Sequence, residues 1–138
     1  MMTTTIKITE EVLSTPSKSD FVQYLPCTIM TSGSTEVEER FNKFTEADDK
    51  DSELLTNSLR GYPLEGRKLP LPEGYTGLVV EGGKSSLTSQ DRDVRATASF
   101  KEMTYWNYDR KPSENDAYQQ AMQWLEVAKV LHEDQENQ

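Results

Sequence analysis

The 138-residue chain carries 24 acidic against 15 basic side chains, a formal net charge of -9, and only 34% hydrophobic residues. That length is one domain's worth, and the apolar share is lower than a self-sufficient globule uses, which points to a core completed by another molecule or to long solvated tails. Residues 1–59 hold five basic and eleven acidic groups, 60–111 nine and seven, and 112–138 one and six; no Lys/Arg stripe is visible, which disfavours direct grip on a nucleic-acid backbone. One cysteine, Cys27, rules out an internal disulfide framework or a Cys-rich zinc site and fits a reducing compartment. Neither an apolar signal core at the N-terminus nor a run of eighteen apolar residues occurs, so a cytosolic or nuclear location is expected.

Residues 1–20 are rich in Thr and Ser, contain Pro16 and few large apolar groups, and are expected to form a flexible arm. FVQYLPCTIM (21–30) carries a strand signal, but Pro26 removes one ladder donor and places that strand at an edge or a bulge. Val37, Phe41 and Phe44 suit either a short strand or one helical turn. EADDKDSE (46–53) reads as a charged loop. SELLTNSL, YPLEGRKLPL and TGLVVEGGK read as short strands between Gly-containing turns, with Glu65-Gly66 marking a hairpin. SSLTSQDRD opens a second loop, 85–92. Turns this frequent predict a barrel or sandwich rather than alternating β and α units.

The longest strand signal is 93–108. Val94, Ala96, Ala98, Phe100, Thr104, Trp106 and Tyr108 share one parity, Arg95, Thr97, Ser99, Lys101 and Asn107 the other. Glu102 interrupts the apolar parity and predicts a bulge or bend. After Pro112, Ser113 and Asp116 have the spacing of a capping box. Ala117, Ala121, Trp124, Ala128 and Leu131 then form a stripe with Leu125 beside it, an amphipathic helix over 113–133. The expected division is an arm (1–20), a β-barrel core (21–111) with loops at 46–53 and 85–92, and a C-terminal helix with an acidic tail (112–138).

Catalytic groups are scarce. Asp48, Asp49, Asp51 and Glu53 are the densest carboxylates, but they lie in a polar run without the Gly of a calcium loop and read as a solvated loop. His132, the only histidine, suits the helix C-terminal dipole better than general-base work. Cys27, in an apolar stretch beside Pro26, reads as a small core hydrophobe. EGGK (81–84) lacks the spacing of a phosphate loop and reads as a hairpin turn. Tyr105, Trp106 and Tyr108 could stack bases on an open sheet; burial against a core or partner is the competing reading, because only Arg95, Lys101 and Arg110 lie near them.

A set of motifs carries a family resemblance: LPC (25–27), Leu59-Arg60-Gly61, Leu64 with Gly66, Pro72 with Gly74 and Gly77, Phe100 with Thr104 and Trp106, then Trp124 and His132. Taken in order they span residues 24 to 132, and the chain resembles the C subunit of eukaryotic type 2 ribonuclease H, the small non-catalytic member of a heterotrimer. The resemblance implies a mainly β fold, a short-stranded barrel interwoven with a partner subunit in a triple-barrel arrangement, plus a C-terminal α-helix. It implies a catalytic A subunit and a B subunit as partners and magnesium in the A subunit, with no cofactor in this chain. The assembled enzyme would degrade RNA of RNA·DNA hybrids and incise at single ribonucleotides in DNA, in the nucleus, in replication and repair. Implied subunit-interface residues are Arg60, Gly61, Leu64, Pro72, Phe100, Trp106, Pro112 and Trp124. The chain departs from several longer members in carrying Glu65 where they have a basic residue. The alternative from a different class is a free-standing OB-like module binding single strands.

Overall fold

A computed structural model describes residues 3–82 and 92–136, with side chains to residue 133. Among the described residues the elements run β1 (Thr4–Lys7), α1 (Glu10–Ser14), β2 (Gln23–Tyr24), α2 (Val37–Arg40), β3 (Glu46–Ala47), β4 (Leu54–Leu59), β5 (Tyr62–Pro70), β6 (Gly77–Gly82), β7 (Arg92–Phe100), β8 (Glu102–Tyr108) and α3 (Ala117–Glu136), with one 3₁₀ turn at Asn42–Phe44. The fold is therefore mainly β with a C-terminal helix. Two sheets form, three strands in the order β1-β7-β6 and five in the order β2-β8-β5-β4-β3. Most of the expected 85–92 loop, and Gly83 and Lys84 of EGGK, lie outside the described residues; Arg92 already belongs to β7.

The single strand expected over 93–108 is two strands in two sheets. The chain bends at Lys101, beside the parity break at Glu102, so β7 is the centre of the small sheet and β8 lies inside the large one. A register shift opposite Val79 and Val80 also lets Ala96 and Ser99, of opposite parity, both be buried on β7. On β8, Met103, Thr104, Tyr105, Trp106 and Asn107 are all buried. Simple alternation fails there because separate segments cover the two faces. On one face Trp106 packs with Phe41, Leu55 and Leu64, and on the other Tyr105 clusters with Tyr24 and Tyr118, three rings each within 6.5 Å of the other two.

The β4–β5 hairpin turns at Arg60-Gly61, not at Glu65-Gly66. Both turn residues have positive φ, 51° and 83°, as a two-residue hairpin twisted like its flanking strands requires. Gly66 is instead mid-strand, opposite Trp106. A Cβ there would stand 2.5 Å from Trp106 Cε3, so this glycine serves the approach of the indole rather than a turn.

Within residues 1–20, expected as an arm, β1 pairs parallel with β7 over Thr4–Lys7 and α1 follows. None of their side chains is buried, as the composition requires. What holds the segment is hydrogen bonding: the Ser99 hydroxyl donates to Val12 O, the Thr104 hydroxyl donates to Ser19 O at 2.9 Å, and Ser17 N donates to Ser99 O at 2.8 Å. Such bonds contribute about 0.5–1.5 kcal/mol each, a route that counting apolar residues does not see. β2 is indeed an edge strand, but it spans two residues rather than ten, and Cys27 is exposed, not in the core.

Candidate subunit interface

The eight implied interface residues divide by depth. Leu64 and Trp106, 1% and 0% exposed, hold the chain's own core; the Trp106 indole N–H donates to Gln23 Oε1 at 2.8 Å and its ring meets Phe41 edge-on at 5.5 Å. Pro112 is buried, and Pro72 and Phe100 are half-buried, the Phe100 ring lying over Gly77. Arg60 and Gly61 form the exposed hairpin tip. Beside that tip Tyr62 and Tyr108 pack edge to face at 6.1 Å and remain 65% and 44% exposed. Glu65, at mid-strand on β5, is half-buried and in register with Thr56 and Asn107.

Trp124 is 69% exposed, so the expected helical stripe is not the face that packs. The half-buried positions of α3 are Tyr118, Gln119, Met122, Leu125 and Ala128, while Val127, Val130 and Leu131 join Trp124 outside. The side-chain amide of Gln119 is buried with no hydrogen-bond partner, an arrangement that costs about 1–3 kcal/mol. The helix begins after Asp116 rather than at 113. The Asp116 carboxylate, itself buried, accepts from Asn107 Nδ2 and Ser113 N at 2.9 Å each and from Arg110 at 3.0 Å, which ties the 109–116 connection to β8. Sequence reasoning found Ser113 and Asp116 as a spacing but missed Asn107 and Arg110, for which no local signal exists.

Three of the four carboxylates of 48–53 are already engaged, by loop amides or by Arg67 of β5. Asp48 Oδ1 accepts from the amides of Lys50 and Asp51 at 2.7 and 3.3 Å, Asp51 Oδ1 accepts from Glu53 N, and Arg67 pairs with Asp51 and Glu53 at 3.7 and 3.6 Å. A counter-ion already in place and carboxylates turned to backbone amides do not fit a two-metal centre. Among the described residues no group of three or more His, Cys, Asp or Glu converges as metal ligands.

The aromatic platform of the OB-like alternative is largely enclosed. Tyr105 and Trp106 are 8% and 0% exposed, and Tyr105 is stacked on Tyr24 at 5.1 Å and on Tyr118 at 6.0 Å. Burial pushes the Tyr105 phenol above its ordinary range, with the Asp116 carboxylate and the Tyr24 phenol adding to the effect and Arg110 opposing it. Burial alone raises Tyr118. Of the three rings only Tyr108 offers a face.

These surfaces share one property: apolar groups lie open around a small closed core. Seven hydrophobic residues are buried, whereas seventeen large ones are exposed among the described residues, a balance that suits a chain built to be covered. Comparison with known proteins agrees. The family described as "Ribonuclease H2 non-catalytic subunit (Ylr154p-like)" matches residues 21–93 and 81–131. An uncharacterised protein of Schizosaccharomyces pombe is 32% identical over 113 residues, covering 75% of this chain and 77% of its own length. The C subunit of ribonuclease H2 from Mus musculus is 29% identical over 132 residues and its counterpart from Bos taurus 28% over 131, each match covering 78% of both chains. With the match extending from β2 through most of α3, the chain belongs to the ribonuclease H2 non-catalytic subunit family.

Proposed function

We propose that the chain is the C subunit of a heterotrimeric type 2 ribonuclease H, interwoven with a B subunit and docked on a catalytic A subunit that holds the magnesium ions and cleaves RNA·DNA hybrids and single embedded ribonucleotides in the nucleus. This chain is the scaffold. One observation carries the reading. Among the described residues seven hydrophobic side chains are buried while seventeen large ones are exposed, and apolar surface left open on this scale marks a face that a partner covers. These exposed apolar groups lie on both sheets, on the Tyr62–Tyr108 pair beside the hairpin tip and on the outer face of α3, so more than one contact region is supported. Arg60, Gly61 and Trp124 have surface to offer a partner, while Leu64 and Trp106 support that surface from beneath.

Co-expression with the A and B subunits followed by size-exclusion chromatography and a hybrid-cleavage assay tests this. The chain expressed alone is expected to aggregate or fold poorly and to cleave nothing. Trp106→Ala, a truncation that costs about 3–5 kcal/mol at a buried site, is expected to cut recovery of the trimer while activity per assembled complex stays near normal. Phe100→Ala, at a half-buried position, is expected to do the same to a smaller extent. A well-folded monomer that binds single strands through Tyr108 would refute the scaffold reading.

A further inference from the structure

A groove of about 980 Å³ opens between the start of the large sheet, the 25–36 connection and α2. Its floor reaches the core through Leu25, Phe41 and Leu59. Phe21, Ile29 and Val37 stand at its mouth, 53%, 72% and 41% exposed. Every residue from Cys27 to Arg40 is exposed, so one whole wall lacks cover. The lining also holds Asp20, Glu36, Glu38 and Glu39 against one basic residue, Lys18. Three of these carboxylates have neighbours on their own segment: Glu36 with Arg40 at 3.7 Å, Glu39 with Lys43 at 3.3 Å, and Glu38 accepting from Asn42 Nδ2 at 2.9 Å. The two ion pairs join residues more than half exposed, the kind of contact that gives little stability and exchanges readily.

We propose that this groove is a docking site for a basic, apolar-anchored segment of a partner subunit, one that sets large apolar side chains over Phe41 and Leu59 and lysines or arginines against the Asp20–Glu36–Glu38–Glu39 rim. The proposal rests on the subunit reading above. Complementarity selects this occupant: a phosphate backbone is repelled by the rim, and a second copy of a chain of net charge -9 meets like charge there. An apolar floor with a polar, here mainly acidic, edge is the usual anatomy of an anchored peptide site.

The test uses the co-purified complex and a zero-length carbodiimide, which joins carboxylates to lysine amines in contact. Expected are cross-links from residues 36–39 to a lysine-containing peptide of a partner chain. The Glu36→Gln/Glu38→Gln/Glu39→Gln variant is expected to lose those links and to need less salt to dissociate. Val37→Asp, at an exposed position where folding is spared, is expected to weaken assembly at least about tenfold. If the partners co-purify but the triple variant assembles within about twofold of the parent, with unchanged salt dependence and no link from 36–39, the groove proposal falls while the subunit reading stands. Links only to a second copy of this chain overturn the proposed occupant. A chain that co-purifies with no partner overturns both readings.

Discussion

Gly66→Ala gives the sharpest test of the core. A Cβ at residue 66 would lie 2.5, 2.7 and 2.8 Å from three atoms of the Trp106 six-membered ring, and ordinary contact begins at 3.4 Å, so the indole must retreat by about 0.9 Å. It has nowhere to go. Trp106 is 0% exposed, Phe41 meets its ring edge-on, and Gln23 accepts its N–H. Overpacking of this kind costs about 1–3 kcal/mol, and loss of the indole hydrogen bond adds about 0.5–1.5 kcal/mol. Reduced freedom of the unfolded chain returns about 0.4–1 kcal/mol. The expected net loss is about 2–3 kcal/mol, which for a chain of this size corresponds to a fall in Tm of roughly 6–15 °C. Thermal and urea unfolding of the subunit, alone where soluble and in the complex, measure it. Combining Gly66→Ala with Trp106→Leu should cost less than the two changes summed, since the smaller side chain removes the clash. A Gly66→Ala variant within about 0.5 kcal/mol of the parent, the range of ordinary surface substitutions, would refute this packing of glycine against indole.

Two further expectations follow from the polar groups. Tyr105 and Tyr118 keep their protons above the ordinary phenol value of 10.0 when folded, so their contribution to stability is complete below that value and is lost as pH rises through the raised folded values; spectrophotometric titration at 295 nm alongside unfolding should show alkaline destabilisation, reduced in Tyr118→Phe. Replacing Asp48, Asp49, Asp51 and Glu53 together with Ala should leave turnover of the assembled enzyme nearly unchanged, and a loss beyond about a hundredfold, the scale of removing key electrostatic groups, would show that this loop takes part in the chemistry.

Local signals are legible in the sequence and long-range ones are not. Glu102, interrupting an apolar parity, foreshadows the bend at Lys101, whereas Pro26 lies beyond the two residues of β2 and does not act on its ladder. Glycine cannot be read the same way, because a turn glycine and one that makes room for an indole look alike: Gly61 has the φ of a turn, while Gly66 is defined by a residue forty positions away. The burial of β8 on both faces depends on Phe41, Tyr24 and Tyr118, which belong to three separate segments. Periodicity reveals the helix but not its packed face, since Trp124 is the most apolar-looking residue of the stripe and yet points outward. For the implied interface, the motifs mark residues that matter to the fold, Leu64 and Trp106, as readily as those with surface to offer, Arg60 and Trp124.

The two parallel pairings also set a timetable. β1 is joined to β7 from Thr4 with Arg92 onward, and β2 to β8 from Gln23 with Thr104, so the first strands made on the ribosome find their ladders only after about 80–90 more residues have been synthesised. At about 5–20 residues per second, the N-terminal strand waits roughly 4–18 s, with Ile6, Ile8 and Leu13 open to whatever is near. Contacts this distant in sequence are slow to close and leave the chain prone to aggregation meanwhile. Production of this subunit should therefore respond to the timing of its partners' synthesis as strongly as to their amount.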